Sequence, residues 1–130
     1  MANIRASFGF VCDDARQETN GKMMFIGAFS GDIVMPEIPQ QLAIRLVLYL
    51  ENDGPGTYEV EAGVFYEGKA IAGASGQLQS TKMGGSFVPI PMIIPINGPG
   101  TLTFKFRQAG KRWQTVITLP VSTTASQPPS

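Results

Sequence analysis

Residues 42–51 read "LAIRLVLYLE", and this stretch decides the fold class. Leu42, Ile44, Leu46, Leu48 and Leu50 occupy one set of alternate positions, with Ala43, Arg45, Val47 and Tyr49 between them. A period of two places the five aliphatic residues on one face of a β-strand, whereas a helical period would scatter them. Residues 101–108, "TLTFKFRQ", repeat the pattern, with Leu102, Phe104 and Phe106 alternating with Thr103, Lys105 and Arg107. Outward from these two, alternation predicts further strands near residues 3–12, 22–29, 57–66, 70–79, 86–94 and 112–121. Fifteen glycines and ten prolines break the chain about every ten residues, and helical periodicity is nearly absent. Eight short strands with such frequent turns predict an all-β domain, a single antiparallel β-sandwich of two packed sheets.

Two stretches share turn chemistry. "GPGT" occurs at 54–57 and at 98–101, each time opening a strand that runs to a Gly-Lys pair, Gly68-Lys69 and Gly110-Lys111. Both predict a β-hairpin. The sandwich is expected to occupy residues 1–121, and "STTASQPPS" at 122–130, which lacks apolar periodicity, reads as a Ser/Thr/Pro tail.

The composition excludes several classes of function. With 130 residues, 43% hydrophobic and 15% charged, the chain has enough apolar surface for one core and too few charges for intrinsic disorder. It contains no apolar run long enough for a membrane-spanning helix and no secretion-signal core, so the expected location is the cytoplasm. Ten basic and ten acidic residues give formal net charge zero, which offers a phosphate backbone no excess attraction, so nucleic acid is not an expected partner. One cysteine cannot form an intrachain disulfide.

The absence of histidine removes imidazole acid-base chemistry, Ser-His and Cys-His nucleophiles and imidazole zinc sites. "GVFYEGKA" at 63–70 has P-loop glycine spacing, but Ala70 replaces the magnesium-binding hydroxyl and strand alternation runs straight through it. Glu59 and Glu61 share a strand face and read as solvated surface rather than a catalytic pair. No catalytic residue, cofactor or metal is expected. The densest reactive cluster is "FVCDDARQETNGK" at 10–22. Alternation through Ile4, Ala6, Phe8, Phe10 and Cys12 predicts a buried, unactivated thiol on the core face. Asp13 and Asp14 would then hold a turn, with Arg16 as their ion partner and Asn20-Gly21 supplying positive φ. Calcium on Asp13, Asp14 and Glu18 is the functional alternative, weakened by Arg16 and Lys22 beside them.

"VCDDAR", the following "GK", "GAFSGDIV" and "GPGTLTFKFRQAGKRWQTVITLPV" resemble an uncharacterised bacterial family of small single-domain β-sandwich proteins. The resemblance implies an immunoglobulin-like or fibronectin-like sandwich and transfers no catalytic residue. Three functional classes are thereby framed. The first is a structural or assembly module that engages protein subunits, itself or a viral capsid or tail lattice, such as a bacteriophage capsid decoration protein located in the virion. The second is a cytosolic binding domain for a peptide or small ligand, and the third, disfavoured by the missing histidine, is an enzyme.

Two features carry the assembly expectation. In "SFVPIPMIIP" at 86–95, Pro89, Pro91 and Pro95 remove backbone donors from the same side, which predicts an edge strand with that side unpaired. Residues 1–67 hold ten acids and four bases, a net of −6, and residues 68–130 hold six bases and no acid. Lys105, Arg107, Lys111 and Arg112 on the last hairpin and Glu51, Asp53, Glu59, Glu61 and Glu67 around the middle one therefore form candidate basic and acidic patches. Head-to-tail contact would join them, unless cross-strand pairs cancel the charges first.

Overall fold

The computed structural model describes residues 3–123. Nine strands follow one another without a helix among the described residues: β1 (Ile4–Gln17), β2 (Met23–Ala28), β3 (Ile33–Met35), β4 (Gln40–Asn52), β5 (Gly56–Tyr66), β6 (Lys69–Ser80), β7 (Gly84–Ile96), β8 (Gly100–Gln108) and β9 (Gln114–Thr123). They form two packed sheets, ordered β2-β1-β4-β7 and β3-β9-β8-β5-β6. The all-β, sandwich-like expectation holds, with nine strands rather than eight. The added strand is β3, three residues long and parallel to β9, so the sheets are mostly rather than wholly antiparallel. Its brevity hid it, because three residues hold too little alternation to recognise. β9 continues through Thr123, two residues past the expected boundary, and the rest of the expected tail, 124–130, lies outside the described residues.

The core forms where the two inner faces meet. Ile44, Leu46, Leu48 and Leu50 of β4 oppose Leu102, Phe104 and Phe106 of β8, all buried, with Val64, Ile94, Leu119 and Val121 around them. The two hairpins occur as expected. Glu67 (φ 48°) and Gly68 (φ 83°) turn β5 into β6, and Gly110 (φ 82°) turns β8 into β9. β5 and β8 also pair, so the hairpins lie side by side. Tyr58 and Tyr66 each donate a hydroxyl proton to a carbonyl of one "GPG" loop, Gly54 and Gly98 respectively.

β7 is the edge of the four-stranded sheet and pairs only with β4. Pro89, Pro91 and Pro95 stand opposite Val47, Arg45 and Gln41, so their missing N–H groups fall on the unpaired side. The opposite end of the sandwich is closed by side chains. Gln108 Oε1 accepts the Ile4 N–H at 3.1 Å, and the Gln114 amide both accepts from Ala6 N–H and donates to Ala6 C=O. Gln114 thus supplies the pairing that a neighbouring strand would give this part of β1.

Strand β1 departs from the expected alternation. A bulge between Ala6 and Phe8 shifts the register against β4, so Ala6 faces Leu50 in the core while Phe8 and Phe10 stand opposite Tyr49 and Val47 on the outer face. Cys12 is fully buried, as expected, but on the outer face, opposite Arg45; Val11 takes the core position. Asp13 and Asp14 do not end the strand either. β1 runs to Gln17, and the turn falls at Glu18–Lys22, where Gly21 has φ 83° and Asn20 Oδ1 accepts the Lys22 N–H.

Candidate functional site

The outer face of the four-stranded sheet carries a cluster of five aromatic rings. Phe8 stacks on Tyr49 at 5.3 Å, Phe87 meets Phe8 and Tyr49 edge-on at 6.0 and 5.0 Å, and Phe25 touches both Phe10 at 4.8 Å and Phe87 at 5.2 Å. Phe25 pairs opposite Ala15, five residues beyond Phe10, a distance of about 16 Å along a flat strand. The contact therefore requires the distal half of the β1–β2 hairpin to turn back across the outer face. Gly27 (φ 70°) sits at the bend, where an added Cβ would overlap the Asp13 carboxylate. Val47 and Cys12, both on this outward face, are sealed from solvent. The Gly27→Ala variant is expected to lose about 1–2 kcal/mol in a urea titration, the cost of left-handed backbone for a residue with a Cβ. An unchanged midpoint would show that the hairpin does not need this conformation.

The surface of this cluster remains open to solvent. Phe8 is 50% exposed and Phe87 36%, and along the same face of β7 come Pro89, Pro91, Ile93 at 64% exposure, and Pro95. The result is a strip of apolar surface on a sheet whose edge the prolines prevent from growing.

At the bend, the Asp14 carboxylate is satisfied within its own strand. Asp14 Oδ2 accepts from Arg16 Nε at 2.9 Å and Asp14 Oδ1 from the Ala15 N–H, and the Arg16 bond holds the Asp14 carboxyl below its usual range. The Cys12 thiol donates to the Asp14 carbonyl at 3.2 Å, and burial pushes its pKa up. A thiol disfavoured as thiolate is a poor nucleophile. Among the described residues, no three cysteine, aspartate or glutamate side chains gather as a metal cage.

The charged candidates lie mainly on the five-stranded sheet and at one end of the molecule. On the outer face, Arg107 Nε and Nη2 reach Glu61 Oε2 at 2.8 and 2.7 Å, directly across the β5–β8 ladder. The same guanidinium lies 4.1 Å over the Trp113 ring, Trp113 meets Phe65 edge-on at 5.7 Å, and Lys105 Nζ sits 4.6 Å over Phe65. Gly63 makes this array possible, since a Cβ there would press on Phe65 and Trp113 at 3.0 and 3.2 Å. Glu51 pairs with Arg5 at 3.1 Å, and Asp53 accepts the Asn3 N–H at 2.6 Å. Glu59 is exposed, with Gln77 Nε2 at 3.4 Å. Lys111 and Arg112, on the β8–β9 connection, make no ion pair among the described residues. They border Asn3, Ile4 and Arg5 from one side, while Glu51 and Asp53 border Asn3 and Arg5 from the other. Acidic and basic candidates thus adjoin, and two basic side chains are already neutralised across strands.

Alternation in the sequence did not reveal a cavity of about 140 Å³ between the edge strands β6 and β7. Leu48, Val60, Leu78, Val88, Ile90 and Phe106 line it. Its only trace in the sequence is "AIAGASG" at 70–76, where β6 brings almost no side-chain volume to the core.

Compared with models of known protein families the chain matches none, and no curated protein sequence matches it.

Proposed function

We propose that the chain is a non-catalytic structural module that engages other protein subunits, of the kind that decorates a bacteriophage capsid. The observation that carries this reading is the exposed aromatic and proline-rich outer face of the four-stranded sheet. Aromatic side chains are enriched at interface cores, and a contiguous apolar strip of this kind is costly to leave in water. Its placement beside a proline-blocked edge favours face-to-face contact over strand addition. Charge has a smaller part than the composition of the two halves implies, because Arg107 and Arg5 are paired within the chain, which leaves Lys105, Lys111 and Arg112 as the basic candidates without an ion pair among the described residues. The fold type supports the same class. We read the sandwich as immunoglobulin-like: β4, β5, β8 and β9 would be strands B, C, F and G, a reading supported by the orders β9-β8-β5-β6 and β1-β4-β7, to which β3 and β2 add at the edges. Such modules commonly serve as interaction domains, although fold alone does not assign function.

Sedimentation equilibrium at low and high salt tests the proposal. The protein is expected to self-associate at both salts, and Ile93→Glu is expected to weaken association by about tenfold or more without unfolding the chain. Loss of association only in a Lys111→Glu/Arg112→Glu variant, and only at low salt, would return the contact to charge. A monomer at every concentration would overturn self-assembly and leave the ligand-binding alternative.

A further inference from the structure

We infer that the cavity between β6 and β7 is a binding site for one compact, uncharged apolar group of about six to eight carbons, an aromatic ring or a branched alkyl group. This assignment is independent of the assembly reading, because the cavity opens at the edge of the sandwich and not on the outer aromatic face. Three observations carry it.

The first is chemical. The side chains that define the volume, Leu48, Val60, Leu78, Val88, Ile90 and Phe106, are all hydrocarbon. This half-open space of about 140 Å³ with mainly hydrocarbon walls gives water few polar partners, and its volume approaches that of an engineered apolar cavity of about 150 Å³ that binds benzene.

The second is the way β6 makes the room. Its inward positions pair with inward residues of β5: Ala72 opposite Val64, Ala74 opposite Ala62, Gly76 opposite Val60, and Leu78 opposite Tyr58. Two sheets about 10 Å apart normally fill the gap with side chains from both. Here three consecutive inward positions of β6 carry a methyl group or nothing. A Cβ built on Gly76 meets no atom within 4 Å, and its φ is not in the left-handed region, so neither space nor backbone demands glycine there. A larger aliphatic residue would fit and would close the site.

The third is the contrast between the two ends of the sandwich. Near β1, the amide side chains of Gln108 and Gln114 cross from the five-stranded sheet and seal the gap. Between β6 and β7, the bordering polar residues are Glu61, Ser75 and Gln77, with Glu61 turned to Arg107 and Gln77 to Glu59 on the outer face. The Glu61 and Gln77 side chains are thus engaged away from the volume, and buried side-chain polar atoms lacking a partner are absent among the described residues. The site therefore selects by shape and apolarity, and it excludes charged ligands by desolvation.

Toluene serves as the probe, with methyl NMR and thermal unfolding as readouts on the intact chain. Toluene is expected to shift the methyl resonances of Leu48, Leu78, Val88 and Ile90 in a saturable manner and to raise the Tm. The Gly76→Val variant is expected to have a higher Tm without toluene and at least about tenfold weaker toluene binding. Unshifted cavity methyls at toluene saturation would overturn the inference. So would shifts confined to the Phe8 and Phe87 ring resonances, or a response in Gly76→Val equal to that of the wild type. If Gly76→Val fails to fold, Val88→Phe, which enters the same volume from β7, replaces it with the same expected loss.

Discussion

In the native protein, Cys12 is expected to react with a thiol reagent at neutral pH at least about a thousandfold more slowly than in urea. The thiol has no exposed surface, so labelling requires an opening of the β1–β2 hairpin or of the whole domain, and such openings are rare in a structure stable by several kcal/mol. Its pKa adds to the effect. Burial is the largest influence and raises it, the hydrogen bond to the Asp14 carbonyl works against this, and the Asp13 and Asp14 charges add to the rise. A raised folded-state pKa means that this contribution to stability is complete below the unfolded value of about 9.0 and is lost as pH rises through the folded one. Stability should fall at alkaline pH, and Cys12→Ala should make that decline shallower. If native labelling proceeds at the unfolded rate, the thiol is accessible and a reactive role returns to consideration. Gly27→Ala, which disturbs the bend over Cys12, should speed native labelling more than it shifts the urea midpoint.

The Phe104→Ala variant is expected to lose about 3–5 kcal/mol, a large part of the roughly 5–15 kcal/mol that holds a domain of this size folded. Phe104 is fully buried at the middle of β8, between Val64 of β5 and Ile117 of β9, and packs across the gap into the leucine face of β4. β-Strands on both sides hold the sheet in register, so the surroundings have little freedom to collapse into the vacated space. Phe104→Leu, which keeps most of the volume, should lose less than about 2 kcal/mol. Urea midpoints at constant slope measure both. A loss below about 1 kcal/mol for the alanine variant would mean that the two sheets close on the gap, and that the β6–β7 cavity could close in the same way.

Much of the candidate surface was visible before folding was considered, and much of its meaning was not. Pro89, Pro91 and Pro95 announced an edge because a missing N–H is a local property that no partner can restore. Charges are different. The −6 and +6 halves suggested two opposed patches, but Glu61 from the first half and Arg107 from the second stand directly across a ladder and cancel. Residues 46 apart in sequence become neighbours only through β5–β8 pairing, which no local pattern encodes. The aromatic face was missed for the same reason, since its rings come from β1, β2, β4 and β7.

By itself the sequence determined eight of the nine strands and the turns of the β5–β6 and β8–β9 hairpins. Alternation follows from backbone geometry within a single strand, and Gly21, Gly68 and Gly110 supply the positive φ that their turns require. Only the tertiary structure decided which face is inside. In β1, Ile4, Ala6, Phe8, Phe10 and Cys12 form one unbroken apolar series, yet the bulge after Ala6 sends Phe8, Phe10 and Cys12 to the opposite side. A period of two says which residues share a face and not which face is buried, and one extra residue exchanges the two. The return of the β1–β2 hairpin over Val47, the parallel pairing of β3 with β9 and the space beneath Gly76 likewise depend on strands distant in sequence. Each arises where two sheets meet, and the energy that selects it comes from the packing between them.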